Sequence, residues 1–154
     1  MKNLFLPVLA VLLIFSSCED DTELVAPYLG AYQYIESKDT LDFVGMIELK
    51  EGNQVIEQGT VRNKGEANDL GYTYYRTGTY AIEDNKLRIT IDFSTSKNNK
   101  DELFVDRGDL SVNEGFLEGA EYGFSDSYSK LNYLCPPNAF CVGPLPVYKK
   151  VNSN

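Results

Sequence analysis

The chain carries its clearest structural signal at residues 79–93, which read Thr79-Tyr80-Ala81-Ile82-Glu83-Asp84-Asn85-Lys86-Leu87-Arg88-Ile89-Thr90-Ile91-Asp92-Phe93. Apolar and polar side chains alternate through the second half of this stretch, the pattern of a strand with one buried face. The four residues at 83–86 are typical of a tight turn. The stretch therefore predicts a hairpin of two antiparallel strands. Four side chains of its second strand should face the core: Leu87, Ile89, Ile91 and Phe93. Three should face water: Arg88, Thr90 and Asp92.

The same alternation recurs in the residues that precede this hairpin. Residues 30–36 predict a first strand, and residues 42–50 and 54–62 predict a second hairpin that turns at 51–53. A polar stretch at 63–69 has no apolar period and predicts a long loop. Alternation then resumes at Tyr72-Thr73-Tyr74.

The residues that follow the hairpin are less regular. Residues 94–101 are polar and predict a loop, and residues 102–106 predict a short strand. Residues 110–124 contain Gly115, Gly119 and Gly123, which predict irregular, bulged strands, because glycine weakens a helix interior. Two further strands are expected at 130–134 and 145–151.

These elements predict an all-β fold in one domain. No stretch of ten or more residues beyond the N-terminal segment has the apolar period of a helix. About eight antiparallel strands joined in chain order form a meander, and closing the meander into a barrel removes its exposed edges. We therefore expect an antiparallel barrel of about eight strands, with a β-sandwich as the alternative.

The N-terminal segment has the features of a lipoprotein signal. Lys2 precedes 12 residues at 4–15 that form an apolar run, shorter than the roughly 20 residues of a membrane-spanning helix. The segment Leu13-Ile14-Phe15-Ser16-Ser17-Cys18 follows as a lipobox, with small residues before a cysteine. It resembles bacterial lipoprotein signals and implies that Cys18 is lipidated, with acyl chains such as palmitate as its contact with the membrane.

This interpretation divides the chain into three parts. Residues 1–17 are the expected signal peptide, residues 18–27 an acidic tether and residues 28–154 the barrel domain. The run Glu19-Asp20-Asp21 resembles a signal that exports lipoproteins to the cell surface. We therefore expect a location at the outer membrane facing outward, with its periplasmic face as the alternative.

Charge and size limit the possible partners. Cleavage before Cys18 would leave 137 of the 154 residues, and removing Lys2 would change the net charge from −9 to −10. A chain this acidic is repelled by nucleic acids. We expect a monomer that binds no nucleic acid.

Cys135 and Cys141 remain as an even pair once Cys18 is lipidated. In an oxidising compartment such a pair predicts a disulfide. A zinc site would need four ligands, and the chain has no histidine.

Two features resemble the lipocalin-like, or calycin-like, bacterial lipoproteins. The first is a Gly-x-aromatic first strand, here Gly30-Ala31-Tyr32, and the second is the run of meandering hairpins exemplified by residues 78–93. The resemblance covers most of the mature chain and implies a barrel able to hold a ligand.

Catalytic chemistry has little support in the sequence. The absence of histidine excludes Ser-His-Asp and Cys-His catalysis, and none of the 23 acidic residues forms a recognisable catalytic or calcium-binding motif. We expect neither enzymatic activity nor a metal or other cofactor.

Tyrosine is the remaining signal, with 11 residues in the chain. Its flat apolar face and hydroxyl suit ligand binding, although core and cross-strand packing is the favoured explanation. The candidate binding residues are Tyr32, Tyr34, Tyr72, Tyr74 and Tyr80. One hypothesis is a binding protein that holds a small apolar ligand or a polypeptide in or on the barrel. The other is a structural, inhibitory or immunity-type envelope protein with a flat protein-binding surface and no cavity.

Overall fold

The computed structural model describes residues 26–98, 101–114 and 119–151. These residues form nine strands: β1 Gly30–Lys38, β2 Leu41–Lys50, β3 Gln54–Asn63, β4 Asp69–Glu83, β5 Lys86–Ser96, β6 Ser111–Val112, β7 Ala120–Ser125, β8 Lys130–Tyr133 and β9 Val147–Val151. Two single-turn 3-10 helices, Glu51–Asn53 and Arg107–Asp109, lie between them.

Eight of the strands close into an antiparallel barrel. Neighbours in the chain pair in order from β1 to β5, β5 then pairs with β7, and the ring continues through β8 and β9 back to β1. The short strand β6 pairs with the opposite end of β5 from β7 and lies outside the ring. The predicted barrel is thus confirmed, and the closed ring excludes the sandwich.

The predicted hairpin forms from β4 and β5, and its turn lies at residues 83–86, as expected. Glu83 pairs with Lys86, and the two residues between them, Asp84 and Asn85, both have positive φ. Asparagine and aspartate tolerate this backbone conformation, which matches the twist of the two strands.

Phe93, however, does not face the core. Leu87, Ile89 and Ile91 are buried as expected, whereas the side chain of Phe93 is 43% exposed. The register skips one residue here, because Thr77 pairs with Phe93 while Gly78 pairs with Ile91. After the bulge, every later residue of β5 points to the opposite side of the sheet from the side that simple alternation predicts.

Two further sequence predictions need correction after the bulge, at residues 94–96 and 102–106. Residues 94–96 belong to β5, and Ser94 and Thr95 are buried, so the predicted loop begins later. Residues 102–106 form no strand; Val105 makes only an isolated bridge to Tyr72. The irregular region at 110–124 contains β6 and β7, while its residues 115–118 lie outside the described chain.

The core fills one half of the barrel. Its buried members come from seven strands: Tyr32, Ile47, Leu49, Val55, Tyr80, Leu87, Ile89, Ile91, Tyr122, Phe124 and Leu131. Tyr28 precedes β1 and packs against Tyr80, Phe124 and Tyr128, with ring centroids 6.2–6.4 Å apart. Since these contacts come from different sides of the barrel, the segment before β1 covers that end.

None of the helices within the described ranges has the length and apolar character needed to cross a membrane.

Candidate functional site

Two rows of side chains across the sheet define the other half of the barrel. In one row, Tyr34, Gly45, Gly59 and Tyr74 are successive partners on β1 to β4. The second row begins at Tyr32 on β1. Its successive partners are Ile47 on β2, Glu57 on β3 and Arg76 on β4.

The paired glycines make room for aromatic rings inside the barrel. A Cβ atom at Gly59 would overlap the ring of Tyr74, and one at Gly45 would lie 3.1 Å from the hydroxyl of Tyr148. Glycine at these two positions therefore lets tyrosine rings lie against bare backbone, which a larger residue would prevent.

A cavity of about 540 Å³ opens beside these rings. Its walls come from six barrel strands and the segments that flank β6 and β7. They are formed by Glu57, Tyr74, Arg76, Ile91, Ser94, Asn113, Gly119, Ala120, Tyr122, Tyr133 and Tyr148. Most of these side chains carry a polar group, so the cavity combines aromatic faces with hydrogen-bonding atoms.

Glu57 is the most unusual residue of this wall. It is 5% exposed, and its Oε2 lies 3.6 Å from the Nη1 atom of Arg76. Burial raises the pKa of Glu57 above its ordinary value, and the guanidinium of Arg76 offsets only part of that effect. Its Oε1 atom has no hydrogen-bond partner among the described residues.

The other buried polar side chains of the described residues are satisfied. Asp42 accepts hydrogen bonds from the backbone N–H of Gly65 and the hydroxyl of Ser37, which hold the pKa of Asp42 below its ordinary value. Three hydroxyls also have partners: Thr60 bonds to Asp69, Ser94 to Asn113 and Thr95 to the carbonyl of Tyr75. A buried polar atom without a partner is costly, so the Oε1 atom of Glu57 marks a place where a donor would be favourable.

Tyrosine rings form the aromatic wall. The ring of Tyr122 is perpendicular to that of Tyr148, with centroids 5.8 Å apart, and it also contacts Tyr133 at 5.7 Å. Burial raises the pKa of Tyr74 to about 12, and it raises the pKa values of Tyr122 and Tyr148 further. These hydroxyls therefore stay protonated and can donate hydrogen bonds at neutral pH.

Hydrogen bonds fix the rim near β6. The amide of Asn113 donates to the hydroxyl of Ser94 at 2.8 Å and accepts from the hydroxyl of Ser96 at 2.8 Å. The backbone N–H of Asn113 also donates to the carbonyl of Ser94. The bulge in β5 turns Ser94 toward this network, where an unbroken alternation would have placed it outside.

The five candidate tyrosines are distributed over the barrel. Tyr74 lines the cavity, and Tyr34 packs on Tyr148 in its wall at 5.8 Å. Tyr32 and Tyr80 belong to the core, where their hydroxyls donate to backbone carbonyls. Tyr72 makes the bridge to Val105 and is not part of the cavity wall.

Sequence reasoning missed most of the residues in the cavity wall. The sequence nevertheless contains a signal for two of them, which are charged residues at inward positions of a strand. Glu57 occupies an inward position in the series Val55-x-Glu57-x-Gly59, and Arg76 does so between Tyr74 and Gly78. A charged residue at an inward position of a strand needs a partner. Tyr122, Tyr133 and Tyr148 could not have been found in this way, because their strands follow the irregular region.

The expected disulfide is present between Cys135 and Cys141. It closes a loop between β8 and β9 whose side chains are strongly exposed, with Phe140 at 94% and Val142 at 82%. No charged residue occurs from Leu134 to Val147. Cys18 and the acidic run at 19–21 lie outside the described residues.

The described segments contain no group of three or more His, Cys, Asp or Glu side chains able to hold a metal ion. The cavity offers instead a carboxylate, a guanidinium and tyrosine hydroxyls, which can orient a small molecule by hydrogen bonds.

Comparison of the chain with protein-family models, curated proteins and solved structures finds no match.

Proposed function

We propose that this protein is a lipid-anchored binding protein of the cell envelope that holds a small ligand inside its barrel. The observation that carries the proposal is the cavity of about 540 Å³ with the buried, unpaired carboxylate oxygen of Glu57 in its wall. Its volume lies within the roughly 300–1,000 Å³ of small-molecule sites.

The barrel geometry supports this assignment. A barrel of eight strands is just wide enough for side chains to fill it or for one small ligand to occupy it. In this chain the row containing Gly45 and Gly59 accommodates the rings of Tyr148 and Tyr74 beside the cavity, whereas Leu49 and Val55 belong to the filled core.

The lining favours a ligand with both apolar and polar groups. Tyr122 and Tyr148 offer ring faces, while Glu57 and Arg76 offer an acceptor and donors. This refines the expectation of an apolar ligand, because a purely apolar occupant would leave the Oε1 atom of Glu57 unpaired. We assign the cavity a binding role without catalysis.

Native mass spectrometry of the full-length protein purified from its own envelope tests the binding proposal. Ala120 lines the cavity, so Ala120→Phe should fill it and remove any small molecule that accompanies the wild-type protein. Ala81→Phe is the matched control, because Ala81 is exposed on the outer surface of β4. Equal retention in both variants, or no bound molecule in the wild type, would contradict the proposal.

The anchoring part of the proposal depends on Cys18 and the apolar segment before it. Acyl chains on Cys18 would hold the barrel at the membrane through about 0.8 kcal/mol per buried CH₂. Replacing Cys18 with Ala should abolish incorporation of labelled palmitate and leave the signal peptide uncleaved. Labelling that persists in this variant would refute lipidation at Cys18.

The proposed location is the outer membrane with the barrel facing outward, and the acidic run Glu19-Asp20-Asp21 supports it. Its periplasmic face is the alternative. Neutralising the three residues should reduce digestion of the protein by external protease in intact cells. Unchanged digestion would mean that the acidic run at 19–21 is only a linker.

The disulfide loop favours a second candidate function, binding of a polypeptide partner by an inhibitory or immunity-type protein. Exposed Phe140 and Val142 on a loop closed by a disulfide form the kind of apolar contact that protein partners bury. Phe140→Ser should then abolish crosslinking to one specific envelope protein. Under the first proposal, this variant keeps its small ligand.

A further inference from the structure

We infer that the cavity selects a neutral, hydroxyl-bearing ligand of the saccharide class, and that Glu57 recognises one of its hydroxyl groups. This inference rests on the proposed function, since it names the ligand of the same cavity.

The charges of the cavity wall favour a neutral ligand. Among the described residues that line the cavity, only Glu57 and Arg76 are charged, and they lie 3.6 Å apart as an ion pair. A cationic ligand placed near the carboxylate would be repelled by Arg76, and an anionic ligand near the guanidinium would be repelled by Glu57. The pair therefore presents a dipole to the cavity without a net charge.

The unpaired carboxylate oxygen requires a donor. The ion pair engages the Oε2 atom of Glu57, which leaves Oε1 with its full hydrogen-bonding capacity. Oε1 is buried in the wall, and because the terminal torsion of glutamate is broad, rotation about it would let the carboxylate turn this atom toward a donor in the cavity. A ligand hydroxyl can donate to Glu57 and accept from the exposed part of Arg76, which matches both members of the pair.

The aromatic rings supply the second element of saccharide recognition. One face of a pyranose ring carries only C–H groups, whose slightly positive hydrogens are attracted to the negative face of an aromatic ring. The rings of Tyr122, Tyr148 and Tyr74 line the cavity; the first two are perpendicular to each other, and the guanidinium of Arg76 lies over the third. Their hydroxyls remain protonated and can bond to further ligand oxygens.

The size of the cavity sets an upper limit on the ligand. A volume of about 540 Å³ lies in the range that accommodates small organic ligands and suits one or two sugar rings. The wall therefore combines a paired charge, an unpaired acceptor and tyrosine faces in a space of saccharide dimensions.

Titration of the full-length protein with named probes tests this inference. The chain has no tryptophan, so its fluorescence reports tyrosine directly. Maltose, cellobiose, N-acetylglucosamine and methyl β-D-galactopyranoside represent neutral saccharides, while phenethylamine and laurate represent cationic and apolar anionic ligands. We expect saturable binding of at least one saccharide and no saturation by the other two probes.

Two variants assign the role of Glu57. Glu57→Gln keeps the shape of the side chain but removes the charge-assisted hydrogen bond, so saccharide binding should weaken about tenfold. Glu48→Gln is the matched control, because Glu48 lies on the outer face of β2 and is not part of the cavity wall. Equal saccharide affinity in both variants would overturn the role of Glu57.

A measurement on the wild-type protein covers the case in which Glu57→Gln fails to fold. The carboxyl ¹³C resonance of Glu57 should shift on saccharide addition, and an unchanged resonance would refute direct recognition. Saturation by laurate or phenethylamine without any saccharide would overturn the ligand class but keep the proposed function. If no probe saturates and Ala120→Phe loses no bound molecule, the proposed function fails as well.

Discussion

Glu57 occupies a position where an apolar side chain would stabilise the barrel more. Its neighbours in the row and along β3 include Ile47 and Val55, which are buried and apolar. Placing a carboxylate there removes it from water, and Arg76 compensates only in part, as the raised pKa of Glu57 shows. Residues that lower stability in this way are concentrated at functional sites.

The raised pKa of Glu57 makes the stability of the barrel depend on pH. Below the ordinary pKa of about 4.5, Glu57 is protonated in both the folded and unfolded states. As pH rises from about 4.5 to the higher folded-state pKa, the folded protein retains a proton that the unfolded chain has already lost. The free energy of unfolding should therefore fall over that range, and Glu57→Gln should remove this component.

Urea denaturation of wild type and Glu57→Gln between pH 4 and neutral pH measures this effect. The wild-type free energy of unfolding minus that of the variant should decrease as pH rises. Glu48→Gln controls for the same change in net charge on the outer surface. A difference that increased with pH would mean that the attraction of Arg76 exceeds the effect of burial.

At the residue scale, the sequence alone predicted which strand residues are buried better than it predicted which residues line the cavity. The alternation in β5 placed Leu87, Ile89 and Ile91 in the core, because burial follows directly from a period of two. It could not separate Tyr74, which lines the cavity, from Tyr80, which fills the core. That distinction depends on the row of Gly45 and Gly59 on other strands, where the absence of side chains lets tyrosine rings lie against the backbone.

The bulge in β5 is the element that connects the core to the cavity. Before the bulge the inward residues are apolar, ending at Ile91, and after it the inward positions include Ser94. Gly78 lies opposite, and a Cβ atom there would overlap the carbonyl oxygen of Thr90. The close approach of β4 to the bulged strand thus requires a glycine.

Gly78→Ala should therefore destabilise the barrel. The obstructing atom belongs to the backbone and cannot rotate away, so we expect a loss of roughly 1–3 kcal/mol in the free energy of unfolding. Gly108→Ala is the control, because a Cβ atom there meets nothing within 4 Å, and it should change stability by less than about 0.5 kcal/mol. Equal effects in urea denaturation would show that the bulge tolerates a side chain.

The disulfide should stabilise the last hairpin more than the rest of the barrel. Cys135 follows β8 and Cys141 precedes β9, with a sequence separation of 6. Closing so short a loop contributes about 2 kcal/mol by reducing the entropy of the unfolded chain. Replacing both cysteines with serine should lower the melting temperature while preserving the barrel.

Hydrogen exchange provides the measurement for the double cysteine variant. Protection should fall first in β8 and β9, and protection in β2 and β3 should persist. Simultaneous loss across all strands would contradict a local role. Two reactive thiols in the denatured, non-reduced wild-type protein would refute the bond itself.

At the scale of the whole molecule, the sequence predicted closure because a meander of about eight antiparallel strands has two exposed edges, and each edge strand needs a partner. The pairing of β1 with β9 meets that need at Ala31–Gln33. The sequence could not predict which half of the barrel contains space. That outcome depends on the registers of eight strands together, including the bulges at Gly59 and Gly78.

The unequal halves explain how one barrel can be both stable and able to bind. The end covered by Tyr28 contains the apolar core, and the rows beyond it contain Glu57, Arg76 and the tyrosines of the wall. Glu57, Arg76 and Tyr74 line the cavity without belonging to the core, whereas Ile91 and Tyr122 contribute to both. A substitution such as Ala120→Phe should remove binding without unfolding the protein.

The most direct test of binding inside the barrel is a spectrum of the full-length protein with ¹³C-labelled tyrosine rings. The small-molecule fraction released from envelope-purified protein is added, and each of the 11 tyrosines reports on its own location. Binding in the cavity predicts shifts at Tyr74, Tyr122 and Tyr148, and little change at Tyr32 and Tyr80 in the core. Shifts confined to tyrosines outside the cavity, or no shifts at all, would contradict it.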